Sequence, residues 1–151
     1  MIKEYIIDGN NLIGKIKELH RLQNKDKFSS REKLAFMLER YFINRHVKVK
    51  LHFDGHYSGA IKVSKIKIEY SENKTADENI KRDIAGANNP KLIAVVSSDH
   101  SVMQYAQKSS CTVMKSESFA NRLKAKEGND LEEKLMKEIS NDEIKKMFGV
   151  E

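Results

Sequence analysis

Apolar positions recur along this chain with two different periods. Residues 4–7 open as a short strand ending at Asp8, and Leu12, Ile13, Ile16, Leu19 and Leu22 follow at helical spacing. Ser29 and Ser30 offer a helix N-cap, after which Leu34, Met37, Leu38, Tyr41 and Phe42 mark the apolar side of a second helix. Val47, Val49, Leu51 and Phe53 alternate with Lys48, Lys50 and His52, a strand that ends at Asp54. Gly55 and Gly59 bound a loop, and Ile66, Ile68 and Tyr70 alternate as another strand. Thr75-Ala76-Asp77-Glu78 has the form of a capping box and predicts a helix to about Ala85, broken by Gly86 and Pro90. Residues 92–96 are continuously apolar, as expected of a strand buried on both faces, and lead through Ser97 and Ser98 to Asp99. A helix over 101–108, a short strand over 112–114 and a helix over 119–126 follow. Gly128-Asn129-Asp130 is the linker signal. Beyond it, helices are expected over 131–139 and 141–148, the second with Ile144, Met147 and Phe148 on one face.

Strands alternating with helices predict an α/β fold with a mostly parallel sheet. The 151 residues suffice for one core, so the expected organisation is a domain over 1–126 and a helical extension over 127–151. No apolar run approaches the roughly 20 residues a membrane helix needs. The N-terminus enters a strand at once, unlike a signal peptide, and the single Cys111 forms neither an internal disulfide nor a thiolate zinc site. These features read as a cytoplasmic protein with no membrane partner.

Charge changes this picture because it is uneven. The net charge is +6, yet residues 126–151 carry 5 Lys against 8 acids, which leaves +9 on residues 1–125. Residues 15–50 alone hold 11 Lys or Arg against 4 acids. Such density marks either two solvated amphipathic helices or an electrostatic footprint for phosphate.

In parallel α/β sheets the site lies outside the carboxyl ends of the strands. Asp8, Asp54 and Asp99 each follow a strand there, and Asp77 occupies the first turn of a helix after a strand. Taken singly, Asp99 reads as an N-cap, Asp77 as a complement to the helix dipole and Asp54-Gly55 as turn chemistry. Taken together, four carboxylates crowded at one edge repel each other unless a cation neutralises them. Hard oxygen ligands select Mg²⁺ or Mn²⁺, which keep waters and bind substrate phosphates. The five histidines show no ligand spacing for zinc.

At these residues the sequence resembles the NYN branch of the PIN-like nucleases, and within it the bacterial YacP-like proteins. The matching segments are Ile6-Ile7-Asp8-Gly9-Asn10-Asn11-Leu12-Ile13, Phe53-Asp54-Gly55, Thr75-Ala76-Asp77-Glu78-Asn79-Ile80 and Ser97-Ser98-Asp99, in that order. An aromatic is common in relatives where Asn10 stands. The resemblance implies a PIN-like three-layer α/β/α domain and a metal-dependent endoribonuclease of single-stranded RNA. By position, Asp8, Asp77 and Asp99 would hold Mg²⁺ or Mn²⁺ with Asp54 nearby, and Asn11 would shape the pocket. Ser98 and Glu78 would support it. It also implies association with the ribosome and cleavage of translated mRNA.

The chemistry then needs no protein nucleophile, because a metal-held water attacks phosphorus in line. Lys15, Arg21, Lys62, Lys65 and Lys67 would hold the RNA backbone over an edge that otherwise repels it. Tyr57 reads equally as a base-stacking platform or as a partly buried loop aromatic. The rival reading is a catalytically inactive RNA- or ribosome-binding module of the same fold. A phosphatase or phospho-receiver domain fits less well, since Asp8 is followed by Gly-Asn-Asn and no proline follows the last strand.

Overall fold

The computed structural model describes the backbone of residues 1–147 and the side chains through residue 138. Five strands form a sheet in which every neighbouring pair is parallel: β1 (Glu4–Asp8), β2 (Lys48–Phe53), β3 (Ile66–Tyr70), β4 (Ile93–Val96) and β5 (Thr112–Met114). Their spatial order is β3-β2-β1-β4-β5. Helices α1 (Gly9–Ile13), α2 (Lys17–Lys25), α3 (Lys27–Phe42), α4 (Ala76–Ala85), α5 (His100–Lys108) and α6 (Ser116–Met147) connect and flank them.

The period-two pattern explains the layers. Tyr5 and Ile7 of β1, Val49, Leu51 and Phe53 of β2 and Ala94 and Val96 of β4 face one core, which α1, α2, α3 and α6 cover with Leu12, Leu19, Leu34, Phe42 and Phe119. Ile6, Ile93 and Val95 face the other core, against Ile80 and Ile84 of α4 and Val102 and Ala106 of α5. Each fully buried Leu, Ile or Phe contributes about 1.5–3 kcal/mol. The fold is thus three-layered α/β/α, as the family resemblance implied, around the parallel sheet that the sequence pattern predicted. No described helix is long and apolar enough to cross a membrane.

Four boundaries differ from expectation. The helical pattern from Leu12 to Leu22 is split, because Gly14 ends α1 and its N–H returns to the Asn10 carbonyl. Helix α3 is capped by Asp26, whose side chain accepts from the Ser29 N–H. Ser30 is instead buried and donates to the Leu19 carbonyl, tying α2 to α3. Finally, α6 begins at Ser116 and runs through Gly128-Asn129-Asp130 without a break. There an added Cβ on Gly128 would meet nothing, and Lys126 pairs with Asp130 one turn on at 3.1 Å. A solvated glycine costs a helix only about 1 kcal/mol, less than strong flanking helix formers return. The expected apolar face of Ile144, Met147 and Phe148 lies outside the described residues.

Candidate metal centre at the carboxyl edge

The sheet changes direction of winding at β1. From β1 the chain moves outward through β2 and β3, then returns to the other side of β1 as β4 and β5. The segment after β1 enters α1 on one face, whereas the segment after β4 enters α5 on the other. Connections leaving two adjacent strands toward opposite faces open a crevice between them. Asp8 ends one of these strands and Asp99 follows the other.

Asp8 is 7% exposed. Its Oδ2 accepts from the Ser97 hydroxyl at 3.0 Å. Burial nevertheless dominates and, with Asp54 and Asp99 adding repulsion, pushes its pKa from 3.8 up to about 6. Asp54 turns one oxygen to the Ala76 N–H at 2.7 Å and thereby caps α4 from a neighbouring loop. Asp99 turns one oxygen to the Val102 N–H at 3.0 Å as the N-cap of α5. The capping reading of Asp99 is therefore correct, and it leaves the second oxygen free of that role. Asp77 stands in the first turn of α4 with a buried Oδ1 that has no hydrogen-bond partner; Lys81 Nζ lies 3.4 Å away, an ion-pair contact.

Two adjacent asparagines lock this edge. Asn10 Oδ1 accepts from the Asp54 N–H at 2.8 Å, and Asn11 Oδ1 accepts from the Ser98 N–H at 2.9 Å. The residues that follow β1 thus clamp the ends of both flanking strands. Asn11 Oδ1 also accepts from the Ser116 hydroxyl at 2.6 Å, which brings in the start of α6. Gly9 permits the clamp: a Cβ there would lie 2.6 Å from the His52 carbonyl and from the Phe53 ring. Gly55 turns the chain after Asp54 at φ +86°, and its N–H donates to Ser71 Oγ.

Of the expected supporting residues, Ser98 does not reach the carboxylates. Its hydroxyl accepts from the Ser116 N–H at 2.9 Å and donates to Glu117, which holds the Glu117 carboxyl low together with Lys15. The contact to Asp8 belongs to Ser97, fully buried, whose Oγ also accepts from the Asp99 N–H. Glu78 is exposed and donates its N–H to Thr75 Oγ. Lys15 is beside the edge, 3.3 Å from Glu117. Arg21 is on the exposed side of α2. Lys62 is exposed in the loop before β3, and Lys65 immediately precedes that strand at the level of Lys48, so both lie toward the opposite, amino-terminal edge of the sheet. Parallel pairing decides this, since strands entered from one side all begin at one edge. Tyr57 is 64% exposed and stands edge-on to Tyr70, with centroids 5.8 Å apart.

The sequence assigned no site role to Asn10, noted there only as a departure from relatives, nor to Ser97, Ser116 or Arg31. Arg31 is 2% exposed, donates to the carbonyls of Asp54 and His56, and lies over the Phe53 and Tyr70 rings. It fixes the loop that carries Asp54. A run of small polar residues after an apolar strand was the available signal for the first three; an arginine within an amphipathic helix gave none.

The edge fits a hard divalent cation by its donors: each strand-end carboxylate has one oxygen engaged by the protein, and Asp77 brings a buried oxygen that makes no hydrogen bond and meets only the Lys81 ammonium. The set is open. Among the described residues, the group of three whose ligand atoms all lie within 4.8 Å of one another is instead His52, Glu69 and Asp83, beneath α4. Lys50 already supplies countercharge there, 3.2 Å from Asp83 and 3.7 Å from Glu69, and His52 Nε2 is 2.7 Å from Asp83. At the strand-end carboxylates an ion would keep several waters, as Mg²⁺ does.

Comparison with known proteins places this fold. The YacP-like NYN domain family matches residues 5–148. The crystal structure of Rae1 (YacP) from Bacillus subtilis superposes with a TM-score of 0.74 at 21% identity, covering 97% of this chain and 87% of that one. Its W164L mutant gives 0.75 at 22%, covering 92% and 85%. No curated protein matches by sequence.

Proposed function

The chain belongs to the YacP-like NYN domain family, and from that premise we propose that it is a metal-dependent endoribonuclease that hydrolyses phosphodiester bonds of single-stranded RNA. The observation that carries this reading is the Asp8 carboxyl, buried yet placed in the field of Asp54 and Asp99, with a pKa raised to about 6. A protein gains nothing in stability from such crowding, whereas a cation relieves it.

In this reading Asp8, Asp77 and Asp99 hold Mg²⁺ or Mn²⁺, with Asp54 alongside. The ion, when bound, lowers the pKa of a water and stabilises charge on the leaving oxygen. The chain's own groups do the rest. Ser97 orients Asp8, the two asparagines keep β2 and β4 in register with it, and Arg31 holds the Asp54 loop. Lys15 and Lys81 place positive charge beside the carboxylates to receive phosphate. Tyr57, exposed on its loop, offers a face for an unpaired base. The setting that the family resemblance implies is translated mRNA on the ribosome in the cytoplasm, which cosedimentation with ribosomes tests.

The deciding experiment is cleavage of an end-labelled single-stranded RNA in Mg²⁺ or Mn²⁺, beside EDTA and the variants Asp8→Asn and Asp99→Asn. Internal cuts that need metal and fall by at least about 100-fold in both variants support the nuclease. Binding without cutting in either metal supports the inactive RNA-binding module instead.

A further inference from the structure

Three open clefts run into one another on the α4 side of the sheet. The first, about 520 Å³, lies between α4 and the end of β3, beside Ser71, Asn73, Lys74 and Arg82. The second, about 630 Å³, shares Arg82 with it and adds Lys3, Lys48 and Lys50 at the amino ends of β1 and β2. The third, about 550 Å³, shares Lys48 and Lys50 with the second and reaches Lys65 and Lys67. Together they make a trough that starts where β3 turns into α4, beside the Asp54 loop, where Ser71 Oγ accepts from the Gly55 N–H, and descends to the opposite edge.

The floor of this trough is unusual for a parallel sheet, whose faces are normally both covered. On β2 and β3 the residues facing α4 are Lys48, Lys50, His52, Lys67 and Glu69, alternating with buried Val49, Leu51 and Ile66. Of its carboxylates, Glu69 and Asp83 are engaged by lysine, whereas Glu4 and Glu72 line the clefts without an ion pair among the described residues, against seven cationic side chains. Lys50 pairs with Glu69 and Asp83, and Lys67 stands 3.5 Å from Glu69. Among the described residues Lys3 and Lys48 are exposed with no ion-pair partner, so their charge is available. The two lower clefts have no aromatic lining. Protein interfaces are depleted in lysine and enriched in aromatics, so a polyanion suits this surface better than a folded partner.

We propose that the trough is a track for the phosphate backbone of single-stranded RNA, leading the strand away from the acidic edge; it rests on the nuclease reading above. Lys48 is level with Glu4 and His52 with Asp8 in the sheet. The lysines therefore lie four residues back along the strands, about 13 Å from the edge at roughly 3.3 Å per residue. Only an RNA longer than the few nucleotides held at the edge reaches them.

The test measures binding, with EDTA present so that nothing is cut. Labelled oligouridylates from about 5 to about 25 nucleotides are titrated by fluorescence anisotropy against the wild type and Lys3→Gln/Lys48→Gln, both exposed positions. Wild-type affinity is expected to rise about tenfold across the series. The double variant should lose most of that rise, and its log–log salt slope for the longest RNA should fall by about 1.4, two phosphates at roughly 0.7 each. Identical curves for both proteins at every length would overturn the track alone. Equal losses on polyglutamate would also overturn it, in favour of an acidic protein partner. A wild type that binds no RNA of any length overturns the track, and the nuclease reading falls separately, by the cleavage assay with metal.

Discussion

Asp8 is held in an environment that opposes its charge, and the consequence can be read in stability. Its pKa is raised from 3.8 to about 6, so between those values the folded protein binds more protons than the unfolded chain. Stability contributed by this group is therefore complete below pH 3.8 and declines as pH rises to about 6. Two pKa units correspond to about 3 kcal/mol in the metal-free protein at neutral pH. Asp8→Asn, which keeps an acceptor for Ser97, is expected to stabilise the metal-free chain by about 1–3 kcal/mol at pH 7.5 and by almost nothing at pH 4. Urea unfolding at the two pH values checks this; a loss of stability at pH 7.5 would mean that Asp8 acts as a structural anchor. The acids themselves were legible in the sequence because each follows a strand or opens a helix. Their polar partners were not, because Ser97 and Ser98 are chemically alike and only the turn after β4 decides which hydroxyl meets Asp8.

Elements were most legible where a single period ran unbroken. Strands β2 and β3 emerged within a residue of expectation because lysines alternate with buried apolar side chains. Boundaries set by local competition were less legible. Gly14 divides one helical pattern, and Asp26 takes the capping role expected of Ser29 or Ser30 because Ser30 is drawn inward by Leu19. In α6 the glycine, asparagine and aspartate at 128–130 read as a linker, yet the helix continues. Gly128→Ala should strengthen the helix by about 0.5–1 kcal/mol. Hydrogen exchange of the amides near residues 124–132 should slow by about two- to fivefold, whereas a real break there would leave those rates unchanged.

At the scale of the molecule, the last residues packed into the core, among the described ones, are Phe119, Ala120 and Leu123. Beyond them, Arg40 meets Glu127 at 2.8 Å on the surface, and Leu131, Leu135 and Met136 are exposed. A domain ending near residue 126 is the organisation we infer. A chain cut after Lys126 loses two surface ion pairs, Arg40–Glu127 and Lys126–Asp130, each worth at most about 1 kcal/mol, and its melting temperature should stay within about 5 °C of the full chain. A larger fall would make residues 127–151 part of the folding unit.

The sequence by itself determined the alternation of strands and helices, the layered α/β class, the strand-end acids and the surplus of positive charge. These are local properties, carried by period, composition and order along the chain. Tertiary structure alone decided which of them meet. Asn10 and Asn11 are neighbours in sequence, yet they hold residues 44 and 87 positions away because β1 lies between β2 and β4. Lys65 and Asp8 fall at opposite edges for the same reason, since parallel pairing sends every strand start to one side and every strand end to the other. Strand order and register are long-range pairings, and no local pattern of side chains encodes them.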